Sequence, residues 1–329
     1  DGLYDLGRAS AEYWSKFERC MQLCYERDTI AQIEVWDRFD FSRRPWLDNP
    51  YNPNNNRNYS AEQVGMVGEY PEHPGKNLQP FFYSVPSEKN NKLLLNYQQQ
   101  FVDSLMAHAL AFPNVLYCMD NETNGSPRWG AYWSEHIKRA AAQRGVAVQT
   151  TEMWDAWDVR ADEHKATVEH PETYSFIDLS QNNQTEGQAN WDNMQSVRAS
   201  IAGAPRPTNN VKIYGAEAKV HKDETHAQQS FWRAAFGGVA SARFHRPPAG
   251  MGLSILAQKH IRSLRQVQKS FDDWFAAEPA NALLDFDDFE TELPAQLRDS
   301  PGRREVAVRV IHFVEDLAAR IGVWKSETD

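Results

Sequence analysis

Cysteine is scarce in this sequence: Cys20, Cys24 and Cys118 are the three in 329 residues. None stands among the companion ligands of a metal site, so they read as buried free thiols rather than as a disulfide framework or a metal centre. No HxH or HExxH arrangement occurs either. A metal-dependent hydrolase built on Asp37, Asp40 and His245 is therefore the weaker alternative, and neither metal nor cofactor is expected. No apolar run approaches the roughly 20 residues of a membrane span, which argues against a membrane protein. Positive charge is in the minority, with 35 Lys and Arg against 45 Asp and Glu and a formal net charge of −10. That balance argues against nucleic acid or an anionic membrane surface as a general partner. Low-complexity segments are missing. So are a visible signal peptide and an initiator Met, since the first residue is Asp1. A processed or partial chain is the expectation, secreted or periplasmic if a leader was removed.

What is present is a long alternation of helix and strand signals in one large domain. Ser10 is placed to cap a helix running to about Arg27, with Trp14, Phe17, Met21 and Cys24 on one face. Ile30–Trp36 reads as a strand, with Asp37, Arg38, Phe39 and Asp40 at its tip. Residues 41–87 form a long insertion rich in proline and asparagine, and loops of that length in a compact domain are usually functional or disordered. Its aromatics, among them Trp46, Tyr51, Tyr59, Phe81 and Phe82, argue for order. The insertion is expected to cover the face where the strands end, with Trp46, Tyr51 or Tyr59 within reach of a ligand.

A helix from about Glu88 to Phe112 precedes Pro113–Gly125, PNVLYCMDNETNG. Val115–Met119 is a short apolar run suited to a buried parallel strand. Asp120, Asn121 and Glu122 then place polar groups where it ends, followed by a turn. Further strands are predicted at 146–150, 174–179, 211–218 and 238–244, separated by helices. Their tips carry Glu152, Trp154 and Trp157, then Gln181, Asn182 and Asn183, then Glu217, then Arg243 and His245. A helix closes the domain near residue 275. In residues 276–329 the apolar spacing of Val306, Val310, Phe313, Leu317 and Ile321 favours a helical extension.

Two of the strands end in glutamates, Glu122 and Glu217, and their spacing suits a fourth and a seventh strand at roughly 30 residues per βα unit. With the Asn121-Glu122 pair and the segment Ser241–Gly252, SARFHRPPAGMG, the chain resembles the clan of retaining (β/α)8-barrel glycoside hydrolases, cellulase-like and close to glycoside hydrolase family 5. The resemblance covers roughly residues 1–269. It implies an α/β fold of the TIM-barrel type over 1–275 and the cleavage of β-glycosidic bonds with retention. Glu122 would be the acid/base, Glu217 the nucleophile, and Asn121 a partner of the 2-hydroxyl of the bound sugar. Six strands are legible where a closed barrel needs eight, so the first two are expected to precede residue 1.

The supporting residues fit the clan less closely. Trp36 and Asp37 stand where a histidine is often found, and Arg243 and His245 stand where a tryptophan is common. All four are expected near the substrate, an oligo- or polysaccharide. Trp154 and Trp157 are candidate sugar platforms, with core packing as the rival role. Asn182 is a candidate substrate contact, with stabilisation of its own turn as the rival. A non-catalytic carbohydrate-binding barrel is the alternative function. A homo-oligomer is compatible with these features.

Overall fold

A computed structural model gives the fold, and it describes residues 2–216, 222–245 and 253–269. The chain divides into two compact units, Asp1–Ala156 with Ala161–Asp178, and Trp157–Arg160 with Leu179–Asp329. Along the first run α1 (Ala11–Tyr25), β1 (Ala31–Asp37), α2 (Arg43–Asp48), α3 (Ala61–Val64), α4 (Lys92–Ala109), β2 (Val115–Asn121), α5 (Pro127–Ala142), β3 (Gln149–Thr151), α6 (Asp162–Val168) and the short β4 (Ile177–Asp178). Along the second run α7 (Gly187–Ser200), β5 (Thr208–Ile213), α8 (Glu224–Phe236), β6 (Ser241–Phe244) and α9 (Ile255–Lys269). The architecture is α/β with parallel strands, and the described residues hold the six strands that were predicted. The extension at 276–329 lies outside the described residues.

In the first unit β2 is the middle strand of the order β1-β2-β3, parallel to both neighbours. Its register pairs Trp36 with Asp120 and Asp37 with Asn121, so the C-terminal tips of β1 and β2 are level. Several helices begin at residues that cap them. Ser10 accepts from Tyr13 N in α1, and Asn91 accepts from Leu94 N in α4. Ser126 caps α5 just before Pro127, whose missing N–H costs nothing at that position. In α4, buried Leu94, Gln98, Val102, Leu105 and Ala109 recur at three and four residues, the stripe that faces the core.

The predicted 41–87 insertion is ordered, and its aromatics form the core. Phe41 and Phe81 have ring centroids 4.0 Å apart, and Trp36 packs against Phe81 at 5.2 Å and Trp133 at 5.3 Å. Trp46 is fully buried and donates its indole N–H to Val67 O at 2.9 Å. Tyr59 is also buried, and its hydroxyl donates to Tyr51 O at 2.7 Å. These rings present no open face: of the three aromatics of which at least one was expected near a ligand, Trp46 and Tyr59 are core and Tyr51 is half-buried. The insertion does reach the tip of β2: Asn77 Nδ2 donates to Asn124 O at 3.0 Å, and Asn124 Nδ2 to Gly75 O at 2.9 Å.

In the second unit β5 and β6 are parallel, with Asn209 opposite Ser241 and Ile213 opposite Phe244. Phe231 of α8 stacks on Phe244 at 4.8 Å, and Trp232 donates its N–H to His260 Nδ1 of α9 at 3.1 Å. Four predicted strand starts shift by three residues: β5 starts at Thr208 rather than at Val211, β6 at Ser241 rather than at Gly238, β3 at Gln149 rather than at Val146, and β4 at Ile177 rather than at Tyr174. All three cysteines are free, as expected, but Cys20 is exposed and Cys24 only half-buried on the outer side of α1; Cys118 alone is a core thiol.

Candidate active site

The tip of β2 is built from the strand outward. Asn121 ends the strand and donates from Nδ2 to Asp37 Oδ2 at 3.1 Å, across the level tips of β1 and β2. Glu122 follows, half-buried, with φ at +48°. That left-handed backbone is one that a residue with a Cβ rarely adopts, and it turns the chain sharply at the carboxylate. Thr123 is then pinned on both sides of its peptide: its N–H donates to Met153 O at 2.8 Å, and its carbonyl accepts from Asp155 N at 2.8 Å.

Beneath this turn lies an ionic cluster. Arg38, buried at the start of the segment after β1, donates from Nε to Asp120 Oδ2 and to Thr123 Oγ1, both at 2.8 Å. Nη1 donates to Asn77 Oδ1 at 3.0 Å, and the guanidinium lies 4.1 Å over the Phe82 ring. Glu152, at the tip of β3, accepts from Asp120 N at 2.7 Å. Glycine is required twice in this arrangement. A Cβ at Gly125 would lie 1.9 Å from Arg38 Nη2, and one at Gly130 would lie 2.0 Å from Glu152 Oε2.

Burial pushes the Asp120 carboxyl up, with the Arg38 charge opposing it. Burial pushes Glu152 well above the carboxylate range, and the neighbouring Asp120 charge adds to the shift. Two buried carboxyls thus lie near one guanidinium, and burial and neighbouring carboxylate charge raise both. Asp37 is raised to about 6, chiefly by burial and further by the charges of Asp40 and Glu34, against the N–H of Phe39 and the Asn121 amide. Among the described residues no group of three or more His, Cys, Asp or Glu is placed to hold a metal ion.

In the second unit, β5 leads through Tyr214, Gly215 and Ala216 to Glu217, which lies outside the described residues. Gly215 has φ at +104°, and a Cβ there would meet Asp223 O at 2.0 Å, so only glycine lets the chain turn at this strand tip. At the tip of β6, Arg243 Nη1 donates to Val211 O at 3.2 Å and contacts His245 Nδ1 at 3.0 Å, and His245 meets the Tyr214 ring edge-on at 5.2 Å.

Three predicted substrate contacts occupy other roles. Trp154 is buried and donates its indole N–H to Thr167 Oγ1 at 2.7 Å, so it packs against α6 and offers a sugar no face. Trp36 is likewise core. Asn182 is fully buried: its Nδ2 donates to Asn190 O at 2.8 Å and its Oδ1 accepts from Asn193 Nδ2 at 3.0 Å, which holds its own turn. Trp157, in contrast, is 67% exposed. Sequence reasoning did not single out Arg38, Asp120 and Glu152 as parts of the site. Their signal was present as three ionisable residues at the ends of apolar strands, a position where charge is costly unless it is paired.

These features define a class of fold: a parallel α/β sheet that gathers carboxyl side chains at the C-terminal ends of its strands. Comparison with solved structures points to the same class. The chain is similar in fold to the endo-β-1,4-mannanase of Thermotoga petrophila, with a TM-score of 0.52 at 11% identity over 80% of this chain and 63% of that one. The chain thus spans a little under two thirds of the mannanase's length. Two looser overlaps are the catalytic domain of the Thermobifida fusca endoglucanase Cel5A in complex with cellotetraose and a glycoside hydrolase family 5 protein of Bacteroides vulgatus. The first has a TM-score of 0.35 at 14% identity, over 52% of this chain and 64% of that one. The second has 0.36 at 11%, over 81% and 66%. Neither overlap is close enough to define a fold. No protein-family model matches the sequence, and comparison with curated proteins gives no match.

Proposed function

We propose that this chain is a glycoside hydrolase that cleaves β-glycosidic bonds of an oligo- or polysaccharide with retention. It would do so on a (β/α)8-type barrel of which it supplies strands three to eight. The observation that carries the reading is the Asn121-Glu122 tip: a carboxyl group delivered at the end of a buried parallel strand, beside an amide oriented by Asp37. The likeness in fold to a mannanase supports it.

In this reading the carboxylate of Glu217 attacks the anomeric carbon while Glu122 gives its proton to the departing glycosidic oxygen. A covalent glycosyl ester forms and the aglycone leaves. Glu122, now ionised, then takes a proton from water, and that water displaces Glu217 from the sugar. Such a double displacement needs the two carboxyls about 5–5.5 Å apart. Asn121, its amide oriented by the bond to Asp37, would hydrogen-bond the 2-hydroxyl of the sugar.

The test separates the two glutamates. Glu217→Ala is expected to abolish turnover on every substrate, because no ester forms. Glu122→Ala is expected to abolish polysaccharide cleavage but to leave the first step on activated aryl glycosides largely intact. Added azide, which needs no deprotonation, should then yield a β-glycosyl azide. Identical failure of both variants on activated substrates, with no azide product, refutes these roles. Sugar binding with no turnover by the unaltered chain leaves a carbohydrate-binding barrel in place of an enzyme.

A further inference from the structure

We infer that Arg38 is a positioning residue for Glu122, acting through Asp120 and Thr123; the inference rests on the reading of Glu122 as the acid/base. The residues flanking Glu122 closely are tied to one guanidinium edge. Arg38 Nε lies 2.8 Å from the Asp120 carboxylate on one side of Glu122 and 2.8 Å from the Thr123 hydroxyl on the other. The Thr123 hydroxyl also bonds the Asp120 side chain, which closes a triangle across the base of the turn. Its oxygen accepts from Gly125 N at 3.2 Å as well. The triangle spans Glu122, whose backbone lies in the left-handed region at φ +48°. A glutamate reaches that conformation only where its surroundings over-determine it.

The clamp is itself fixed. Arg38 is 1% exposed, held by Asn77 on one side and by the Phe82 ring on its face. Gly125 leaves the space that the Nη2 end of the guanidinium occupies. Arginine suits the position because its planar fork serves Asp120, Thr123 and Asn77 at once; a lysine brings a single point charge. A proton donor must sit within hydrogen-bond reach of the leaving oxygen, and a displacement of about 1 Å can cost on the order of a hundredfold in rate. Thus a side chain that never touches the substrate sets the aim of one that does.

Arg38→Ala leaves the buried Asp120 carboxylate without its cation and is expected to prevent folding, so the tests use Thr123→Val and Arg38→Lys in the full chain. The first readout is stability. With the clamp intact, Glu122→Gly should unfold at a higher urea concentration than Glu122→Ala, because only glycine occupies the left-handed region freely. In the Thr123→Val background the two midpoints should converge. A gap of unchanged size in both Thr123→Val and Arg38→Lys overturns the clamp and assigns the backbone to the Met153 and Asp155 bonds alone. The second readout is kinetic. On a glycoside with a poor leaving group, Thr123→Val and Arg38→Lys should each lower kcat by about tenfold or more with KM within about twofold, and in the Glu122→Ala background neither should lower the rate of β-glycosyl azide formation from an activated aryl glycoside. Equal losses with and without Glu122 overturn the inference in favour of a purely structural role. If Glu122→Ala itself leaves turnover unchanged, the acid/base reading fails, and the urea midpoints still decide the clamp.

Discussion

The two units secure their strand tips with opposite chemistry. In the first, the tip of β2 is held by ions: Arg38, Asp120 and Glu152 are all buried and are tied together through Arg38 and the Asp120 peptide. In the second, the turn after Leu179 is held by amides. Asn182 bonds Asn190 and Asn193, and Asn190 returns a bond from Nδ2 to Asn182 O at 3.0 Å. Both are buried networks of polar groups, and they differ in how they respond to change. An amide network is neutral at every pH and tolerates small shifts. An ionic network in a dry interior is strong when complete and costly when any member is displaced.

The largest effect is expected where a single methyl group enters the ionic network. Gly130→Ala places a Cβ 2.0 Å from Glu152 Oε2 and 2.8 Å from the Tyr174 hydroxyl. The carboxyl must then leave Asp120 N, and the loss should reach about 2–4 kcal/mol, read as a lower urea midpoint. Asn182→Ala in the second unit removes amide bonds but strands no charge, and about 1–3 kcal/mol is expected. If Asn182→Ala proves the more damaging, the contrast between the two units is wrong.

This contrast also explains what the sequence disclosed. β2 was legible because five apolar residues are followed at once by Asp120, Asn121 and Glu122, so the change of character marks the tip. β5 was misjudged at its start because Thr208, Asn209 and Asn210 read as a loop. They are strand residues, all buried, and Ser180 Oγ accepts from Val211 N at 2.9 Å in their midst. Local propensity gave way to tertiary hydrogen bonding there. Arg38 was read merely as a polar residue at a strand tip, since nothing in its own neighbourhood announces partners 82 and 85 positions away. Trp154 and Trp157 are the same residue type three positions apart, and which one turns inward is decided by the partner that Thr167 provides.

A smaller and more selective effect separates the tips by pH. Asp37 sits at about 6 in the folded chain against an ordinary 3.8. The folded state therefore binds more protons than the unfolded one between about pH 4 and 6, and stability must fall as pH rises through that window. The contribution is about 1–2 kcal/mol after allowance for partial solvent access. Asp37→Asn removes the titration, so the fall in urea midpoint between pH 4 and 6 should be shallower than in the unaltered chain. The slope is the diagnostic, since the substitution also alters the bonds to Phe39 N and Asn121. An unchanged slope assigns the pH response to Asp120 and Glu152 instead.

The smallest effect on stability is expected at Trp157, and it tests the sugar platform. An indole 67% exposed buries little area, so Trp157→Ala should move the midpoint by no more than about 0.5 kcal/mol. Trp154→Phe removes a buried N–H donor from Thr167 and should cost about 1 kcal/mol. Their effects on ligand should run the other way. A sugar ring stacks on an open aromatic face, and the loss of such a contact weakens binding by about tenfold, near 1.4 kcal/mol. Calorimetric titration with a panel of β-linked oligosaccharides should show that loss in Trp157→Ala and none in Trp154→Phe. If instead Trp154→Phe alone weakens binding, burial has been a poor guide and the exposed ring is surface ornament. If neither does so in a chain that binds sugar, the platform lies elsewhere, and the half-buried Tyr51 of the insertion is the next aromatic to change.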